Sequence, residues 1–207
     1  MQKFLLLLGV LAGLASSVQG QNIRYGLKAG VNLAGFTGYS GTGDRNLVGA
    51  TAGLMADVAL SEQLSLHPEL LFSQKGQRFE GSGPGGFSSS DKFRFNYLDL
   101  PVLLRLKFSN FFAEAGPQVG YLLSAKTTHT QSSSTMPLLT YTSNSTDNTR
   151  RFDLGYVVGI GYQLRERWEL GVRYNGGILG INPGSSGGIQ LRNSVFQFQV
   201  GYLVGGK

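Results

Sequence analysis

Strict alternation of apolar and polar residues limits what this chain can fold into more than any other feature. In Ile23-Arg-Tyr25-Gly-Leu27-Lys-Ala29-Gly-Val31-Asn-Leu33 the odd positions are apolar and the even ones polar or glycine. The same rhythm runs through Phe152–Tyr162, Trp168–Tyr174 and Phe196–Tyr202. Successive side chains of a strand point to opposite faces, so each segment is a strand with one apolar face. No stretch carries the i, i+3, i+4, i+7 stripe of an amphipathic helix. The chain beyond its first twenty residues reads as all-β.

Turn signals divide it into eight strands, at about 23–34, 47–59, 63–79, 92–107, 111–126, 151–164, 168–180 and 191–204. The connections after the second, fourth and sixth are tiny: Leu60 to Glu62, Phe108 to Asn110, and Arg165 to Arg167. The others are long and rich in Gly, Ser, Thr and Asn. The longest, Thr127 to Arg150, has 13 Ser or Thr among 24 residues and one acid, Asp147, so it is expected to be mobile. An even number of long strands, with short turns on one rim and long loops on the other, is the plan of an antiparallel up-and-down transmembrane β-barrel. Each strand reaches the roughly 9–11 residues that cross a bilayer at a tilt.

The first twenty residues read as an address. Lys3 gives a positive start, Phe4 to Ala15 is an apolar run too short to span a bilayer, and Gly20 is small. Cleavage is expected between Gly20 and Gln21, leaving a barrel domain over 21–207. Thirty-one glycines and 14% charged residues would suit a disordered chain, but thirteen Phe, nine Tyr and one Trp must be accommodated somewhere. With no cysteine there is no disulfide framework. The net charge is +6, or +5 once Lys3 is lost with the leader. Export makes nucleic acid an unsuitable partner, and outer-membrane lipids fit the basic balance better.

Fixing each strand's register by its apolar residues alone puts the charges on the other face. The acids there are Asp57, Glu69, Asp99, Glu114, Asp153 and Glu169, and the bases Arg24, Lys28, Lys75, Arg105, Lys107 and Arg173. Arg or Lys facing mid-bilayer lipid costs about 2–4 kcal/mol, so a lipid-facing wall is kept clear of charge. Eight strands enclose an interior that side chains can fill, so the twelve are expected to form a lumen salt-bridge network rather than an ion path. The apolar face carries aromatics in two belts. Tyr25, Phe108, Phe111, Tyr162, Trp168 and Tyr202 lie at the short-turn ends, and Phe72, Phe93, Tyr121, Phe152, Tyr174 and Phe196 toward the long loops. Amphipathic rings favour the head-group level.

Pro68, Pro101 and Pro117 fall inside strands, where each removes a ladder donor. The alternation of the fourth strand changes phase near Tyr97 and Leu98, which predicts a bulge there.

Four segments carry a family resemblance: Tyr25-Gly-Leu-Lys-Ala-Gly-Val-Asn-Leu33, His67-Pro-Glu-Leu-Leu-Phe-Ser-Gln-Lys-Gly76, Asn96-Tyr-Leu-Asp-Leu-Pro-Val-Leu-Leu104 and Phe112-Ala-Glu-Ala-Gly-Pro-Gln-Val-Gly-Tyr121. Together they resemble the PorT-like outer-membrane β-barrel family of Bacteroidetes. That resemblance implies an outer-membrane location, insertion by the barrel assembly machinery and, through the family's namesake, a link to type IX secretion or an envelope complex. Membership speaks for the fold more than for the task. The chain runs past Tyr202 to Lys207 instead of ending on an aromatic, which weakens the terminal assembly signal.

Chemistry-bearing motifs are sparse, and no cofactor or metal is expected. His67 adjoins Glu69 on the charged face and reads as a lumen hydrogen-bonding residue. His129 lies among serines in the longest loop, where a lipid-modifying hydrolase would need it. Gly41-Thr-Gly43-Asp44 and Gly81-Ser-Gly-Pro-Gly-Gly86 do not lie between a strand and a helix, so neither is a nucleotide-binding loop. The expected function is structural, interaction or secretion-associated and non-enzymatic. A narrow pore and an outer-membrane hydrolase are the alternatives; a soluble carrier would need an apolar lumen.

Overall fold

The computed structural model describes residues 23–38, 43–134, 137–165, 167–182 and 190–204. The expected leader and its cleavage point lie outside them, as does Gly41. Among the described residues nine strands follow in order: β1 (Ile23–Thr37), β2 (Asp44–Ala59), β3 (Leu64–Gly83), β4 (Phe87–Phe108), β5 (Phe111–Ser132), β6 (Leu139–Asn144), β7 (Phe152–Leu164), β8 (Trp168–Gly177) and β9 (Arg192–Val204). All but β6 form an antiparallel ring that closes where β1 pairs with β9. Closure removes every free edge at membrane depth, where no water could satisfy backbone groups. The chain folds as the eight-stranded up-and-down barrel that its alternation predicts.

The short-turn rim is tightly built. Leu60 and Ser61 N–H both donate to the Leu64 carbonyl at 2.9 Å. Ser109 (φ 56) and Arg165 (φ 50) adopt left-handed backbone to turn the chain within a few residues.

The opposite rim departs from expectation. β3 and β4 run on as one hairpin to Gly83 opposite Phe87, turning through Pro84, Gly85 (φ 70) and Gly86 (φ 66). Glycine takes two such angles in succession without the steric cost of a Cβ. β4 and β5 stay paired to Ser88 opposite Ser132, and β6 joins the far side of β5 from Lys126–Asn144 to Gln131–Leu139. Half of the segment read as a mobile Ser/Thr loop is therefore strand. Its hydroxyls meet across the ladder, with Ser88 Oγ and Ser132 Oγ 2.8 Å apart and Thr128 Oγ1 and Thr142 Oγ1 3.2 Å apart. The barrel supplies a ready template, so these residues need backbone pairing and β-branched threonines, not a core of their own.

The predicted bulge is real but belongs to the neighbouring strand. Asn96 pairs with Ser124 and Tyr97 with Leu122, so Leu123 of β5 is the extra residue. β4 keeps one phase throughout: Phe95, Tyr97, Asp99, Pro101, Leu103 and Arg105 are all buried. What changes near Tyr97 is the chemistry of the lumen, from apolar above to charged below. Phe93 shares this inward phase. It packs against the buried Phe95, Tyr97 and Leu122 cluster and meets Phe79 edge-on at 5.5 Å, so it is no part of the outer belt.

The three strand prolines keep their places in the ring, opposite Val102, Gln118 and Tyr156 respectively.

Candidate functional site

The lumen is where charge is concentrated. All twelve charged residues assigned to the inner face point there; ten are buried, while the side chains of Arg24 and Lys107 are about one-fifth exposed near the short-turn rim. Register explains the grouping, because strands tilted around a barrel bring residues distant in sequence to one level.

Three tiers result. At the short-turn end, Asp57 Oδ2 accepts from Arg24 Nη2 at 2.6 Å and from Lys107 Nζ at 2.7 Å. His67 is fully buried just above, its Nε2 3.1 Å from Glu69 Oε1 and its Nδ1 3.7 Å from Asp57 Oδ1. In the middle tier Arg173 donates to both oxygens of Glu69 at 2.7 and 2.6 Å, and its Nε donates to Glu114. Arg105 donates to Glu114 Oε2 from Nε and Nη2 at 3.1 and 2.9 Å, and to Glu169 Oε1 at 2.6 Å. Lys28 donates to Glu69. Three acids and three bases from β1, β3, β4, β5 and β8 thus form one continuous chain across the barrel. In the upper tier Lys75 Nζ reaches Asp99 at 3.0 Å and Asp153 at 3.4 Å, and Asn193 donates to Asp153 at 2.9 Å.

Counted by formal charge with His67 neutral, the tiers carry +1, 0 and −1, so the twelve balance in total while the charge runs from positive at the short-turn end to negative toward the long loops. Guanidinium groups suit the middle tier, since their planar forks bind two carboxylates in fixed directions. Arg105 also lies over the Phe112 ring at 4.0 Å, and Lys75 over the Tyr97 ring at 4.7 Å. Above the charges, Phe95, Tyr97, Leu122, Ala125 and Ile181 form a buried apolar cluster at the long-loop mouth.

Uncharged lumen residues were not singled out by charge: Asn32, Ser73, Gln197 and Gln199 are buried among the ions. Their signal is phase: Asn32 and Ser73 alternate in step with the charged positions of their strands, and Gln197 and Gln199 alternate with the outward Phe196, Phe198 and Val200. Glycines on the inner face make the room. An ideal Cβ at Gly161 would overlap the Phe112 ring, and one at Gly201 would sit 2.8 Å from Met55 Cε.

On the outer face, the aromatics pair within the two belts. Phe111 meets Tyr162 at 5.0 Å and Trp168 meets Tyr202 at 4.8 Å near the short turns. Tyr121 meets Phe152 at 5.3 Å, and Tyr174 meets Phe196 at 5.1 Å, toward the other rim. Tyr156, outside the two belts that the sequence predicts, joins Tyr174 at 6.2 Å. Tyr25, Phe72 and Phe108 are likewise exposed on this face.

His129 is not in the lumen charge system. It lies on the extended sheet, Nδ1 2.8 Å from Asp91 Oδ1 and stacked on Tyr141 at 4.8 Å. Among the described residues no group of three or more His, Cys, Asp or Glu could hold a metal ion.

Several solved outer-membrane protein structures are similar to the chain at low identity. Neisserial surface protein A is 12% identical over 89% of this chain and 99% of its own, with a TM-score of 0.45. The attachment invasion locus protein of Yersinia pestis is 10% identical over 89% and 99%, with a TM-score of 0.41. Outer membrane protein OprG of Pseudomonas aeruginosa is 14% identical over 89% and 95%, with a TM-score of 0.38. No curated protein matches the chain. Residues 18–182, well over half of the sequence, match the family model described as outer membrane protein beta-barrel domain, and the chain belongs to that family of outer-membrane barrels.

Proposed function

We propose that this protein is a sealed, non-conducting and non-catalytic outer-membrane anchor that carries the β3–β6 sheet beyond the membrane, with a secretion- or envelope-associated role of the PorT-like kind. Its leader is removed after Gly20. The observation that carries this reading is the ion chain Lys28–Glu69–Arg173–Glu114–Arg105–Glu169, which crosses the lumen through buried side chains. An ion entering would have to break charge-assisted hydrogen bonds that leave buried partners unpaired, at about 3–5 kcal/mol for each pair broken. The apolar cluster at the mouth adds a second barrier.

Planar-bilayer recording of the purified, folded protein tests this. The expected outcome is no steady unitary conductance; reproducible channels at neutral pH would put the pore reading first. A hydrolase reading draws on the His129–Asp91 contact, because a carboxylate at Nδ1 orients an imidazole for base catalysis. Among the described residues no serine hydroxyl hydrogen-bonds to that histidine, which favours the non-catalytic reading. Deletion of the gene, scored for secretion against general envelope integrity, separates a secretion role from a purely structural one.

A further inference from the structure

The outer face of β2–β5 changes character in steps toward the extended rim. Phe72 pairs with Leu98 at the level of the aromatic belt. Two residues higher stand Gln74, Asn96 and Ser124, neutral and polar. The next row pairs Arg94 with Lys126, and the row above pairs Arg45 with Arg78 and Arg78 with Lys92. A strand rises about 3.3 Å per residue, so the cations begin roughly 10 Å beyond Leu98 once tilt is allowed for, at head-group depth.

This arrangement breaks a rule of sheet stability. Like charges directly opposite one another repel, yet three such pairs adjoin here. Glu80 offsets two of the cations, 3.4 Å from Arg45 and 3.0 Å from Arg78. Among the described residues Lys92, Arg94 and Lys126 have no acidic partner. Lys92 lies beyond the belt, and desolvation with the Arg94 and Arg78 charges holds its ammonium below the ordinary lysine value. Asp91 and His129 occupy the opposite face and do not neutralise the patch. Local rules fail in this way where a ligand supplies the missing half.

We propose that Arg45, Arg78, Lys92, Arg94 and Lys126 form a binding site for the phosphate groups of a phosphorylated membrane lipid in the leaflet on the long-loop side. Mixed guanidinium and ammonium donors suit phosphate, with Arg binding two oxygens at once and Lys acting as a mobile point charge. The apolar row below takes the acyl chains, and long side chains reach down from above to the head group. The site rests on the chain's placement in a membrane and is independent of whether the lumen conducts.

The test is native mass spectrometry of the folded full chain in a neutral detergent, titrated with bis-phosphorylated lipid A or with its dephosphorylated form. The variant Lys92→Gln/Arg94→Gln/Lys126→Gln alters only outward-facing groups, and Arg167→Gln removes a charge from the opposite rim. The expected result is tight binding of the phosphorylated lipid alone, on the order of a hundredfold weaker in the triple variant and unchanged in Arg167→Gln. Equal binding of both lipids, or an unweakened triple variant, would overturn the proposal. Inorganic phosphate bound as tightly as the phosphorylated lipid at matched ionic strength would also overturn it, as the mark of a free-anion site. Should the triple variant fail to fold, the wild-type protein decides: lipid A affinity that does not fall with rising salt overturns the site.

Discussion

Gly159 lies directly across the β7–β8 ladder from Arg173, and its missing side chain is what lets the guanidinium fork lie between Glu69 and Glu114. A Cβ at position 159 would stand 2.6 Å from Arg173 Cγ and 3.3 Å from Glu114 Oε1. Gly159→Val should therefore push Arg173 out of the middle tier. The expected loss is at least the 1–3 kcal/mol of overpacking, read as a lower urea midpoint for unfolding in micelles. Gly83→Ala, where a Cβ would meet Phe87 no closer than 3.6 Å, serves as a near-neutral control.

Val172 is 42% exposed and Arg173 2%, which fixes opposite faces for adjacent residues of β8. Val172→Arg should destabilise the barrel by about 2–4 kcal/mol near mid-bilayer. Arg173→Met should cost about 3–5 kcal/mol by a different route, leaving Glu69 and Glu114 short of a partner. Labelling separates the two. In this cysteine-free chain, Val172→Cys should react with a lipid-soluble thiol reagent and Arg173→Cys should not; the reverse pattern would mean an inverted register.

The bulge at Leu123 makes deletions unequal. Removing Leu123 rejoins Asn96–Ser124 to Tyr97–Leu122 in one continuous register without turning any side chain to the other face. Removing Ala115 instead turns Val119 and Tyr121 inward and Gln118 toward lipid. The Leu123 deletion should retain the heat-modifiable gel shift of a folded barrel, and the Ala115 deletion should abolish it.

Thr128 is paired on both sides, with Lys92 of β4 and Thr142 of β6. Proline there removes a ladder donor from the middle of the extended sheet. Thr128→Pro should open the Lys126–Thr127 bond to trypsin while the membrane-embedded strands stay protected. Equal, rapid cleavage in the wild-type protein would show that β6 does not hold β5 in place.

Faces were legible in the sequence because strand geometry has a period of two and lipid excludes charge. That alone assigned Arg105, Arg173, Glu69 and Glu114 to one interior, eleven of the twelve belt aromatics to the exterior, and the short-turn rim to its place. The partners were not legible: Glu69 meets Arg173 across 104 positions only because ring closure and tilt bring β3 and β8 to the same level. Phe93 misled because an apolar residue in a strand points to lipid only where the lumen beside it is polar, and the lumen at that height is lined with rings. The Ser/Thr segment misled for a related reason. Its composition cannot build a core, but neighbouring strands that already stand beyond the membrane let it pair by backbone and hydroxyl alone. Local alternation set which way each side chain points, and closure of the sheet decided what it meets there.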